Sequence, residues 1–176
     1  FRTAGAEIVG IPVDEGGIDL DHLEDAARSD ANLRAVYLTP HHQYPTTVTL
    51  SPTRRTRLLD IARRYRLAII EDDYDHEYRF EGRPTLPLAS QCNGDLTVIY
   101  VGSLSKLIAP GIRLGYAVAP RAILRRMADC REAIDRQGDV PLEQALADLI
   151  ADGTVRRHAR KACLVYHHRR EKLATL

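Results

Sequence analysis

Residues 96–106 read LTVIYVGSLSK. The run is apolar and β-branched for the length of a strand, then breaks into a glycine, two serines and a lysine. Such side chains favour a pleated strand, so the polar cluster falls at its carboxyl end. The lysine is conspicuous in its context. The chain carries 22 arginines but only three lysines, Lys106, Lys161 and Lys172. A guanidinium stays protonated and is a poor nucleophile, whereas a lysine amine can lose its proton and attack a carbonyl. Taken alone, a lysine after a strand is an ordinary solvated cation. Its neighbours decide whether Lys106 is more.

Outward from this stretch, short apolar runs alternate with amphipathic ones. AEIVGIPV (6–13), LRAVYLTP (33–40) and LAIIEDD (67–73) read as strands, as does RLGYAVAP (113–120). Only a short loop precedes 113–120, so that strand is expected to run antiparallel to 96–103. Between them lie helical segments: DLDHLEDAARSD (19–30) and SPTRRTRLLDIARRYR (51–66). In the second, Ser51 is an N-cap, Pro52 starts the first turn, Leu58, Leu59 and Ile61 form the buried stripe, and the arginines are expected to face water. Helices then fill 120–136, 141–152 and the stretch from Thr154 onward, with Gly153 as the break. This alternation gives an α/β fold, a three-layer αβα arrangement around a mainly parallel sheet.

At 176 residues, 44% hydrophobic and 28% charged, the composition suits one globular domain. A formal net charge of +1 gives no overall polyanion-binding signal. The basic segment TVRRHARKACLVYHHRREKL has Val155, Ala159, Ala162 and Tyr166 at helical spacing, which predicts a packed stripe beneath a solvated cationic face. No apolar run reaches the length of a membrane span, and FRTAGAEIVG does not resemble a signal peptide. Cys92, Cys130 and Cys163 lack metal or redox spacing and read as thiols in a reducing cytoplasm.

Three of the apolar runs end in polar clusters: TPHHQYPTT (39–47), EDDYDHEY (71–78) and GSLSK (102–106). Carboxyl ends of parallel strands share one edge of a sheet, where ligands bind. Tyr44, Asp72, Tyr74, Ser103, Ser105 and Lys106 are therefore expected to converge. An imine-forming amine, a carboxylate for a ring nitrogen, hydroxyls and a nearby arginine, Arg113, suit pyridoxal 5'-phosphate (PLP). A metal- or nucleotide-binding α/β domain using EDD is the distant alternative; no glycine-rich phosphate loop follows any strand. The pairs His41–His42 and His167–His168 read as surface or loop residues.

The ordered motifs TPHHQYPTT, IIEDDYDHEY, GSLSK and PGIRLGY resemble fold-type-I PLP-dependent aminotransferases of class I/II. More narrowly, they resemble the aminotransferase-like domain of MocR-type regulators of the GntR superfamily. The resemblance implies the aspartate aminotransferase-like large domain, incomplete, with residues 1–152 as part of it and 153–176 as the start of the interdomain helix. It makes Lys106 the lysine that carries the cofactor aldehyde and Asp72 the partner of the pyridine nitrogen, with Asp73 as the fallback. Tyr74 falls at the ring's phenolic oxygen, Tyr44 where ordinary aminotransferases place an asparagine, and Ser103, Ser105 and Arg113 at the phosphate.

Thr47 stands where a glycine is usual after YPT, and since threonine avoids positive φ a different turn is expected there. SLSK stands where TFSK is commoner. The resemblance further implies an internal piece of a longer protein, a homodimer in full-length form, and an amino acid or PLP adduct as effector or substrate. DNA would be bound only through a domain outside this chain, in the cytoplasm and without a membrane. Two functions fit: the effector-sensing part of a regulator, and a fragment of a working aminotransferase that is inactive alone.

Overall fold

A computed structural model describes residues 1–75, 77, 78, 85–92 and 94–175. His76 of the EDDYDHEY motif thus lies outside the described residues. The strands are β1 (Val13–Asp14), β2 (Gly17–Ile18), β3 (Ala35–Leu38), β4 (Ala68–Asp73), β5 (Val98–Ser103) and β6 (Gly115–Val118). The α-helices are α1 (Leu20–Ser29), α2 (Pro52–Tyr65), α3 (Arg121–Asp135), α4 (Val140–Ala151) and α5 (Thr154–Ala174). β1 and β2 form a small antiparallel hairpin, and the main sheet runs β3-β4-β5-β6. β3, β4 and β5 are parallel, while β6 pairs antiparallel with β5, as its short connection predicts.

Period-two alternation gives β4 one face that is sealed and one that is half-open. Ile69, Glu71 and Asp73 are buried, whereas Ile70 and Asp72 are only partly covered. The sealed face joins Val36, Leu38 and Val98 to Leu20, Leu23 and Ala27 of α1 and Leu58, Leu59, Ile61 and Ala62 of α2. A fully buried leucine or isoleucine contributes about 1.5–3 kcal/mol over an exposed one, so this layer carries the core. α2 begins as expected: the Ser51 hydroxyl accepts from Arg54 N, and Pro52 follows. Gly153, at φ 77°, separates α4 from α5.

β5 and β6 cross closely at Gly102 and Gly115. A Cβ on Gly102 would sit 2.4 Å from the Tyr116 ring, and one on Gly115 would sit 2.7 Å from the Gly102 carbonyl oxygen. This crossing brings the turn after β5 alongside the residues before β6, with Leu104 N donating to Leu114 O.

Two expectations fail. Of 6–13, only Val13 is in a strand; Ile8 and Val9 are exposed, and a cleft of about 620 Å³ separates the segment from β3. A strand exists only where a neighbour completes its ladder, and the described residues supply none there. The α2 arginines do not all face water either. Arg55 is 1% exposed, and it donates to the carbonyls of Leu50, Leu86 and Pro40. A buried cation persists where backbone carbonyls replace its water.

Candidate active site at the strand ends

β4 delivers two adjacent carboxylates to opposite faces of the sheet. Asp72 lies on the half-open face, and its Oδ2 accepts a 2.6 Å hydrogen bond from the Tyr37 hydroxyl. Asp73 is 3% exposed; it accepts from the Tyr100 hydroxyl and lies 2.9 Å from His41 Nδ1. The fallback carboxylate is therefore sealed within the sheet's packed side. Burial, followed by the Asp72 bond, pushes the Tyr37 phenol up to about 12. Burial and the Asp73 charge push Tyr100 far above the ordinary tyrosine range. Both phenols remain neutral donors at physiological pH.

Behind this edge sits a second buried group. Glu71, with no exposure, accepts from Leu88 N and Ala89 N. Burial raises its carboxyl above the ordinary range, and the two amides, Arg55 and His41 oppose that shift. Arg55 holds Leu50, Pro40 and Leu86 from the other side. Together they fasten the loop after β3 and the segment around Leu88 to the end of β4.

The loop after β3 carries Tyr44. Leu50 N donates to Pro40 O, Gln43 N to Val48 O, and Thr47 N to Gln43 O. Tyr44–Pro45 is cis. Thr47 has φ 61°, so it enters the left-handed region instead of avoiding it. The turn keeps that shape because its hydrogen bonds fix it, at a local backbone cost of about 1 kcal/mol or more. Tyr44 is 73% exposed, within electrostatic reach of Tyr74.

Tyr74 donates its hydroxyl to the His42 carbonyl at 2.9 Å. Its ring lies 4.1 Å from the Lys106 ammonium nitrogen. Lys106 is exposed, and this aromatic face is its described side-chain partner. Beside it, Ser103 Oγ accepts from Ser105 N at 3.3 Å. Arg113 is exposed at φ 50°, next to Leu114, whose carbonyl holds the same turn. The structure thus joins Tyr37 to Asp72, Tyr74 to Lys106 and Ser103 to Ser105. No described hydrogen bond links Arg113 to the serines.

Several residues here escaped the sequence. Tyr37 bonds Asp72, and Tyr78 donates to the Lys106 carbonyl at 3.0 Å. His158 Nε2 lies 3.0 Å from Leu107 O. The Tyr166 ring packs edge-on to Tyr78 at 5.1 Å, and Val155 and Ala159 pack near Leu104 and Leu107. The predicted stripe of α5 therefore packs on the lysine loop, though none of its residues is fully buried. His41 lies in the loop after β3, as read, but not at the surface: it is 5% exposed because it fits beside Asp73. His42 is half-buried and bonds Asp75 at 2.8 Å. Among the described residues no group of three His, Cys, Asp or Glu is placed to hold a metal ion, and no helix is long and apolar enough to cross a membrane.

A strand-end lysine above an aromatic ring, a carboxylate on the open face of the neighbouring strand and a hydroxyl turn fit a phosphorylated carbonyl cofactor. The family model for aminotransferase class I and II matches residues 1–152. The chain belongs to that family. Its members use PLP, and their fold is the α/β arrangement with a mixed, mostly parallel sheet described above.

The chain is 35% identical to "Probable rhizopine catabolism regulatory protein MocR" of Rhizobium meliloti, covering 99% of this chain and 34% of that one. It superposes on the multiple substrate aminotransferase of Thermococcus profundus with a TM-score of 0.85 at 32% identity, covering 94% of this chain and 42% of that one. The kynurenine aminotransferase of Pyrococcus horikoshii, solved with PMP, gives 0.84 at 29%, covering 93% and 41%. This chain thus spans 34–42% of the length of these three proteins. Regulators and enzymes resemble it to a similar degree.

Proposed function

We propose that these residues form a PLP-binding core that serves as the effector-sensing part of a MocR/GntR-type transcriptional regulator. The observation that carries the PLP reading is the exposed Lys106 amine on the Tyr74 ring, at the same sheet edge as Asp72. When bound, the cofactor supplies an electrophilic aldehyde and an electron-withdrawing ring. Lys106, once deprotonated, would be the nucleophile toward that aldehyde. Asp72 would hold a proton at the ring nitrogen. Ser103 and Ser105 would donate hydroxyls to the phosphate, and Arg113 would contribute charge. Tyr74 and Tyr44 would serve the ring's phenolic oxygen. The regulator reading is supported by the motif wording and by the MocR similarity along nearly the whole chain; further HTH-type regulators share it.

In this reading an amino acid or its PLP adduct biases a conformational equilibrium in a cytoplasmic homodimer, and DNA is contacted by a segment outside residues 1–176. A working aminotransferase is the second reading, favoured by the solved enzymes of equal similarity. Borohydride reduction after PLP loading tests the core: the label is expected on Lys106, and Lys106→Ala should lose the visible absorption. A label elsewhere, or an unchanged band in that variant, refutes the assignment. Sustained transamination of any amino acid with a 2-oxo acid would transfer the function to the enzyme reading.

A further inference from the structure

Asp72 and Asp73 are chemically identical, yet only Asp72 is left with a free oxygen on the open side of the sheet. Its Oδ2 is occupied by the Tyr37 hydroxyl at 2.6 Å, while Oδ1 makes no hydrogen bond among the described residues. Tyr37 belongs to the neighbouring strand, β3, where it pairs in register with Ile70, two residues before Asp72 on the same face. Its reach is therefore a diagonal contact fixed by the sheet itself. The Phe1 ring packs edge-on to Tyr37 at 5.6 Å.

We propose that Tyr37 is a positioning residue, holding the Asp72 carboxylate by one oxygen so that the other is presented to the pyridine nitrogen of PLP. This rests on the PLP reading above. A carboxylate free to spin about its last torsion loses part of its hydrogen-bond geometry, since that torsion is broad and twofold. Tethering Oδ2 to a neutral phenol selects one orientation. It adds no second charge to compete with the ring.

The test compares PLP-loaded wild type, Tyr37→Phe, Asp72→Asn and the double variant. Affinity is measured by titration of the visible band, and the ring nitrogen by the 15N resonance of labelled PLP. Tyr37→Phe should weaken PLP binding about tenfold, in line with loss of one charge-assisted bond, and move the 15N resonance toward its unprotonated position. In the Asp72→Asn background the same change should have little further effect. Unchanged affinity and resonance in Tyr37→Phe, with wild type binding normally, overturn the role of Tyr37 and leave the PLP reading standing. A lowered melting temperature with an unmoved resonance also overturns it, because the tyrosine is then merely structural. Absence of PLP binding by wild type overturns both.

Discussion

Replacing Arg55 with methionine keeps an unbranched side chain of similar length on α2 but removes every donor from a site that is 1% exposed. Three carbonyls are affected unequally. Pro40 O retains Leu50 N, so it loses only a second, 3.3 Å bond. Leu50 O and Leu86 O lose the donors at 3.0 and 2.9 Å. A buried group left unsatisfied costs about 1–3 kcal/mol; that cost falls on Leu50 O, whereas Leu86 is exposed and water can replace its donor. Relief from burying the guanidinium offsets some of this, while Glu71 loses a favourable charge.

The expected net destabilisation is about 2 kcal/mol, which corresponds to a melting temperature lowered by about 4–8 °C in a chain of this size. Urea denaturation followed by far-UV circular dichroism measures it, with an unchanged slope marking an unchanged denatured state. Arg55→Lys should recover only part of the loss, because an ammonium cannot direct donors to three divergent carbonyls. If Arg55→Met is neutral or stabilising, desolvation outweighs the bonds and the buried strut is not a net source of stability.

Other perturbations have equally definite outcomes. Leu58→Ala, at a side chain with no exposure, should cost about 2–5 kcal/mol by the same denaturation assay. Arg54 and the Gly16 amide hold the Asp14 carboxyl below its ordinary value, and the α1 cap bonds do so for Asp19. Their contributions are complete above the ordinary carboxylate range and disappear as pH falls through the lowered values, so acid titration monitored by NMR should loosen the β1–β2 hairpin and the start of α1 below about pH 4. Tyr78→Phe with His158→Ala removes two side-chain bonds to the lysine loop, and should raise amide exchange across residues 104–108 by about tenfold or more, at about 1 kcal/mol per bond.

The placement of much of the candidate site was legible because strand-end positions follow from local patterns. Apolar runs located β3, β4 and β5, and their polar endings located Asp72, Tyr74, Ser103, Ser105 and Lys106 on one edge. What escaped depended on pairings that no local window contains. Residues 6–13 have a strand's composition, yet composition cannot supply a ladder partner. Arg55 shares the helical face of Leu58, Leu59 and Ala62, but its charge led to the expectation that it faces water. The carbonyls that resolve the conflict come from Pro40, Leu50 and Leu86. Tyr37 could have been found by parity once β3 was paired with β4. His41 offered no such signal, since its place beside Asp73 depends on how the loop after β3 folds back.

The carbonyls of Lys106 and Leu107 are held in succession by Tyr78, itself packed on Tyr166, and by His158. Both holds lead to α5, a helix of 21 residues and so about 30 Å long. The lysine loop is thereby geared to a rigid lever. A rotation too small to break a hydrogen bond near His158 becomes a larger sweep at Ala174. A shift in the backbone of residues 106 and 107 would be carried along that helix to its far end.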